Sequence, residues 1–575
     1  MRFLCVLCAL CGCAFQASAL DREAFTFTNY DLDVRVEPEQ QRLAVRGKLT
    51  LRNDSASAQK NISLQVSSTL DWRSIQVSGK PVQFVTQPYT SDIDHTGALS
   101  EAIVTLPQAV PPKGTIELDI GYEGTIPLDA TRLTRIGVPE ELAKHSDWDQ
   151  IGRSFTGVRG IGYVAWYPVA IEAVNLSEGN SLFEAIGRWK ARERSSTLNV
   201  VFHHSGEGGA ILPTLLCNGK GRQLSYERMG RAYLSVTQCV FDPLQATVPL
   251  FAIGDYSGLD RPALNVSYLP DHKAAAENYL LAGDLALVFV RQWFEISGEK
   301  PETMKAEVVD LPDPEAAPFE NGKLLLAPLN GRDFALARLT AVHQLTHAAF
   351  YSPRPWIYEG VAHFMQAAYK EQENGRQAAV DFMGLHRTAV ADTETALAAE
   401  HSQNATADES LINTSREEFY RSKAMYVWWM LRDMVGEPAL KKALAAYHPE
   451  QDKEPSYMQH LIEAQAKRDL EWFLDDWVYR DRGLPDFRVQ SAYPRPIVGG
   501  GFVVAITVEN LGNAGAEVPV TLRMEGGEVT KRLQVRANST GTVRIEAPSA
   551  PQEVIVNDGS VLESNTSNNK FTIQK

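Results

Sequence analysis

Residues 343–347 read His343-Gln344-Leu345-Thr346-His347, and twelve positions beyond His347 stands Glu359, within Pro353-Arg354-Pro355-Trp356-Ile357-Tyr358-Glu359-Gly360. The apolar period over 333–350 predicts a helix, so the two histidines, four residues apart, share one face. That spacing lets two imidazoles reach one metal ion. Pro353 and Pro355 supply a break, and a second helical pattern covers 357–370. The resulting hairpin would return Glu359 towards His347. Two imidazoles and a carboxylate leave the fourth position of a zinc ion open, as in a catalytic site. A histidine pair by itself is more often structural than ligating; Glu359 at this distance is what points to a metal.

In zinc peptidases the helix motif is H-E-x-x-H, and its Glu takes a proton from the metal-bound water. Here that position is Gln344, an amide with no basic oxygen near pH 7. With that exception, residues 271–480 resemble the catalytic domain of the gluzincin aminopeptidases, the aminopeptidase N and leukotriene-hydrolase group. That family has eighteen residues between its second His and the Glu of a W-x-x-E-G motif. Eleven stand between His347 and Glu359. Losing about one turn of ~3.6 residues from each arm of the hairpin keeps its register. Shorter-gap gluzincins of the peptidase-MA kind resemble the Pro-Arg-Pro-Trp-x-x-Glu-Gly form.

The resemblance implies roles for further residues. Phe319-Glu320-Asn321-Gly322 is similar to the family's G-x-M-E-N segment, whose Glu holds the substrate's free amine; the other reading of Glu320 is an exposed loop acid. Tyr420-Arg421-Ser422-Lys423-Ala424 is similar to Y-x-K-G, whose Tyr steadies the tetrahedral oxyanion, with one extra residue before the Lys. Tyr426 is a rival for that role, and a packed helix tyrosine is the alternative. Gln366 stands where the family often has a second Glu. Trp166-Tyr167-Pro168 and Trp189-Lys190-Ala191 resemble the end of its N-terminal β domain. By this resemblance zinc is the cofactor, His343, His347 and Glu359 are its ligands, and a peptide or protein is the substrate.

The fold expected is multidomain α+β. The 575 residues allow about three or four domains. Residues 20–268 read as a large β domain, in which Leu43, Val45, Leu49 and Leu51 alternate with polar residues. Residues 269–484 read as a mainly helical, thermolysin-like unit, with further helical patterns over 376–400, 415–434 and 456–478. Residues 485–575 carry about seven short period-2 segments, as in an Ig-like β-sandwich. His203 and His204 occupy adjacent strand positions, point to opposite faces and cannot share an ion. The mixed-charge stretch from Arg468 to Arg482 reads as a solvated helix face.

The net charge of −15 lacks the footprint of a nucleic-acid binder. Residues 1–19 carry Arg2, an apolar run and Ala17-Ser18-Ala19, the pattern of a secretory signal peptide. Leu10-Cys11-Gly12-Cys13 also resembles a lipoprotein box, which would anchor the chain through Cys13. Cys217 and Cys239 are the cysteines outside that segment. In an exported protein an even pair suggests a disulfide stapling a hairpin; two buried thiols are the alternative. No later stretch is long and apolar enough for an integral span.

Gln344 divides the functional expectations. The ligand set is complete, while the general base, usually a factor of about 10²–10⁴ in rate, is missing. The sequence therefore points to an exported zinc metallopeptidase fold with weak or absent hydrolysis. The alternatives are a pseudopeptidase that binds peptides or a partner protein, and a purely structural assembly factor with an empty site.

Overall fold

The computed structural model describes residues 20–177, 181–207, 213–245, 247–294, 305–330, 333–403, 409–414 and 416–573, with backbone alone at 181, 183, 184 and 398–403. The segment read as a signal peptide, with Cys13, lies outside the described residues. The chain is a multidomain α+β protein with mixed sheets. No described helix is long and apolar enough to cross a membrane.

The first part is built on an eight-stranded sheet. Its strand Phe25–Glu37 pairs antiparallel with Arg42–Asn53 and parallel with Thr197–Glu207. Leu43, Val45, Leu49 and Leu51 are all buried, as their alternation requires. A three-stranded sheet (Gln59–Ser67, Gln83–Thr90, Ala98–Val110) covers the same core. A second small sheet joins Thr214–Cys217, Phe251–Gly254 and Phe155–Val158. Cys217 and Cys239 are disulfide-bonded. The bridge ties this small sheet to strand Ala232–Phe241 of the large one, so it links two sheets as well as closing the hairpin. Helix Ser181–Glu193 runs immediately before the parallel strand. His203 and His204 point to opposite faces: His203 is half-buried against Asp33 and His204 is buried.

A five-stranded sheet follows, of β1 (Ser257–Asp260), β2 (Leu264–Tyr268), β3 (Ala306–Asp310), β4 (Phe319–Asn321) and β5 (Leu324–Ala327), in the order β1-β2-β3-β5-β4. β2, β3 and β5 are parallel, and β1 and β4 are antiparallel edges. Residues 257–268 therefore pair with the second unit, although local pattern groups them with the first. Parallel pairing across a helical crossover leaves no local sequence mark. One face of the sheet, with Leu264, Val266, Val308 and Leu325, packs on helices. The other, with Val309, Leu324 and Leu326, packs on Trp148, Phe155 and Leu250 of the first unit.

Helix α1 (Lys273–Phe294) crosses over this sheet beside α2 (Phe334–Ala349), and α3 (Pro355–Asn374) returns along α2. Asp333 caps α2 by accepting from the Leu336 backbone N–H at 3.2 Å. α2 is buried almost all round over residues 341–347, so it is a core helix. Pro355 opens α3 at a position where its missing N–H costs nothing. The pattern read as one helix over 376–400 is two, Arg376–Gly384 and Arg387–Gln403. That over 415–434 begins as a π-helical turn, Glu418–Lys423, before α4 (Ala424–Val435).

Seven C-terminal strands among the described residues form two sheets of three and four. They share one continuous core with the helices. The stretch Arg468–Arg482 is not a solvated face throughout. Phe473, Leu474, Trp477 and Val478 are buried in it, and Trp477 donates to the Gly515 carbonyl at 2.7 Å. Its charges flank that seam: Arg468 pairs with Glu517 at 2.6 Å, while Arg480 and Arg482 stay exposed.

Candidate metal centre

The Nε2 atoms of His343 and His347 lie 3.0 Å apart. Glu359 Oε1 is 3.7 Å from His347 Nε2, and its Oε2 is 3.8 Å from His343 Nε2. Glu320 Oε2 is 3.1 Å from His343 Nε2. Donors in a tetrahedral zinc site, with bonds of about 2.0–2.1 Å, stand about 3.3 Å apart. The four side chains bracket that spacing. Two groups, Glu320–His343–His347 and His343–Glu359–His363, each bring three ligand atoms within 4.8 Å of one another and could hold a metal ion.

Three elements set these positions. His347 lies in the last turn of α2 and Glu359 in the second turn of α3, so the short connection keeps both at the closed end of the hairpin. Glu320 sits at the centre of edge strand β4. Its neighbours are clamped by the first unit: Phe319 packs edge-on to Tyr163 at 5.2 Å, and Asn321 donates to the Val248 carbonyl at 2.9 Å. Gly360 lets α4 approach α3. A Cβ there would stand 2.6 Å from the Ala424 Cβ and 3.0 Å from Trp428 Cδ1. Trp428 stacks on Trp356 and donates to its carbonyl at 3.1 Å.

That close approach brings the π-helical turn to Glu359. Tyr420, Arg421 and Lys423 all lie in this turn. Lys423 is fully buried and ion-paired with Glu394 and Asp481, which pins the turn. Arg421 Nε lies 3.2 Å from Glu359 Oε2, and Arg421 also pairs with Glu417. Tyr420 is half-buried, and burial, with the charge of Glu359, raises its pKa well above the usual value. Tyr426 is fully buried in the helix core.

The electrostatics keep His347 and His363 in the neutral form that binds a metal, whereas the carboxylates draw His343 towards its charged form. Burial drives His347 down to about 4, with the charge of His343 adding and Glu359 opposing. Burial also works against the charged form of His343, but Glu320 and Glu359 outweigh it and raise that pKa. Burial pushes Glu359 up; Arg421 and the imidazoles outweigh it and hold it well below the carboxylate range. Burial holds His363 well below its usual value.

Gln344 is fully buried, and its Oε1 accepts from the Tyr279 hydroxyl of α1 at 3.0 Å. Among the described residues its Nε2 has no hydrogen-bond partner. Neither have Glu320 Oε1, Glu359 Oε2 and the Nδ1 atoms of His347 and His363, all buried. Gln366 donates to the Leu339 carbonyl at 3.0 Å and ties α3 to α2.

His343, His347, Glu359 and Glu320, singled out in the sequence, lie together, and two of their neighbours were not singled out. His363 follows Glu359 by four residues and so shares its helix face, a signal open to reading. Arg421 had no such signal, because only the π turn aims it. A separate cavity of about 560 Å³ lies between the outer face of the five-stranded sheet and the hairpin of residues 220–241, lined by Leu216, Tyr226, Asn265, Glu307 and Leu324 among others. No residue of the cluster lines it. No known protein-family model matches this chain, and no curated protein does.

Proposed function

We propose that the chain is an exported zinc metallopeptidase-like protein of the gluzincin type, with hydrolysis weak or lost. The observation that carries this reading is the meeting of the His343 and His347 imidazoles with Glu359 across a two-helix hairpin, within 3.8 Å. The disulfide is compatible with export.

His343, His347 and Glu359 would hold the ion, with Glu320 near enough to join or replace Glu359. Zinc bound there would supply a Lewis acid and a water of lowered pKa. The remaining steps fall to the protein. Gln344 can orient a water through its amide but cannot take its proton. Tyr420, uncharged and next to Glu359, can donate to an oxyanion. With the base absent, binding should outlast turnover. A pseudopeptidase that retains peptides is therefore the second reading, favoured by the Gln344–Tyr279 hydrogen bond, which fixes the amide in place. Peptide turnover by the zinc-loaded chain separates the two: family-like rates would exclude the pseudopeptidase, and none at all would exclude the peptidase.

A further inference from the structure

The cavity of about 560 Å³ that stands apart from the metal cluster is walled by three sheets. Its floor is the outer face of the five-stranded sheet. Alternation along the strands settles which side chains face it. Val266 and Val308 point to the helices, so Asn265 and Ser267 of β2, Glu307 of β3, and Leu324 and Leu326 of β5 point the other way. The opposite wall is the hairpin of strands Lys220–Met229 and Ala232–Phe241. Residues paired across a hairpin share a face, so Gln223 with Thr237 and Tyr226 with Ser235 stand over the cavity. The bridge from Cys239 to Cys217 ties this wall to strand Thr214–Cys217, which closes a third side.

The inward side chains are neutral hydroxyls, amides and leucines, with one exception. Glu307, half-buried at the middle of the floor, is a carboxylate flanked by Asn265 on one neighbouring strand and Leu324 on the other. It has no ion-pair partner among the described residues. Lys305, two positions before it, is committed to Asp260, and Lys323 gives Glu307 only its carbonyl, which accepts from the Glu307 backbone N–H at 2.8 Å. Arg222 reaches the rim, but its register partner is Gln238, whose amide donates to Asn199 on the far face of the hairpin, so Arg222 starts out away from the cavity. On the roof, the Tyr226 hydroxyl is buried with no hydrogen-bond partner among the described residues. A ligand that fills this space displaces the water around Glu307. Taking a carboxylate out of water is costly unless the incoming group carries the opposite charge. A neutral ligand leaves that cost unpaid, and an anion adds repulsion to it.

We infer that this cavity is a second binding site, for a short peptide carrying a primary ammonium group that pairs with Glu307. The apolar part of the ligand lies on Leu324 and Leu326, and the hydroxyls and amides of the hairpin meet its peptide groups. The volume falls within the range of about 300–1,000 Å³ usual for such ligands. The ammonium comes either from the peptide's N-terminus or from a lysine side chain; the chemistry at Glu307 is the same. No residue of the metal cluster lines the cavity, so the inference stands or falls apart from the metal reading.

The test is calorimetric titration of the mature chain with four probes: Leu-Ala-Ala-amide with a free amine, acetyl-Leu-Lys-Ala-amide, acetyl-Leu-Ala-Ala-amide, and acetyl-Leu-Ala-Ala with a free carboxylate. The expected result is at least tenfold tighter binding of an ammonium-bearing probe than of the neutral amide, with the acid weakest; which ammonium binds identifies its source. Glu307→Gln, an isosteric change at a half-buried position, should bring the ammonium and neutral probes to parity. Glu307→Asp, which keeps the charge, should retain part of the preference. Thermal unfolding of each variant shows that its fold is kept. Glu320→Gln, which alters the metal cluster, and Arg222→Gln should leave the preference intact. No binding of any probe, equal binding of ammonium and neutral probes, or preference for the acid would overturn the inference. So would a preference that survives Glu307→Gln, or one that Glu320→Gln or Arg222→Gln abolishes, since each would place the ammonium elsewhere.

Discussion

Glu359 meets His347 at 3.7 Å across a turn that leaves eleven residues between them. The hairpin makes the contact because both residues lie within two turns of its closed end. Glu359 is then held from a third side by Arg421, which the π turn delivers. A metal site assembled this way depends on backbone approach as much as on ligand identity. Gly360 is the position where that dependence is greatest.

Gly360→Ala should therefore loosen the site without touching a ligand. The added methyl meets Ala424 and Trp428, so α4 must shift or the core must strain by about 1–3 kcal/mol. Thermal unfolding and chelator competition should both show the loss. Unchanged zinc retention and stability would mean that the α3–α4 approach does not govern the site.

Gln344→Glu should restore a general base. Peptide hydrolysis is expected to rise by about 10²–10⁴, the usual contribution of such a group. The Tyr279 hydroxyl can donate to the new carboxylate as it does to the amide, which favours folding of the variant. Rates that do not move would show that the missing base is not what limits the chain.

His204 supplies a pH test independent of any metal. It is fully buried, both ring nitrogens lack hydrogen-bond partners among the described residues, and burial lowers its pKa to about 4. The unfolded chain takes up this proton near pH ~6.5 while the folded one resists until about 4, so stability falls as pH drops through that window. The loss should approach about 3 kcal/mol at the low end. In His204→Phe, hydrogen exchange of strand Thr197–Glu207 should lose that part of its pH dependence. An identical slope in the variant would show that His204 is not the group responsible.

The disulfide should stabilise mainly by closing a loop between cysteines 22 positions apart in the unfolded chain. Cys217→Ser with Cys239→Ser is expected to cost about 3 kcal/mol. Denaturant unfolding of the oxidised wild type and the double variant measures it. A difference near zero would mean that the sheets hold this region without the bridge.

Much of this architecture was legible because the period is local. The alternation of Leu43, Val45, Leu49 and Leu51, and the helical face of His343 and His347, are written in neighbouring residues. What could not be read is what distant segments do to one another. Residues 257–268 look like a continuation of the preceding strands, and only parallel pairing with Ala306–Asp310 reassigns them. Trp477 and its neighbours sit in a charged stretch whose apolar stripe finds its partner in the last sheet. Glu320 is drawn to His343 by clamps on Phe319 and Asn321 that come from the first unit. Arg421 is the clearest case: nothing local marks the π turn that points this cation at Glu359.

The most direct measurement is the zinc content of the purified mature chain after exposure to a competing chelator, beside His343→Ala and His347→Ala. The account expects about one zinc per wild-type chain, and at least a tenfold weaker hold in each variant with folding retained. A wild type that yields its zinc as readily as the variants, or variants that keep it, would contradict the convergence of these imidazoles on one ion.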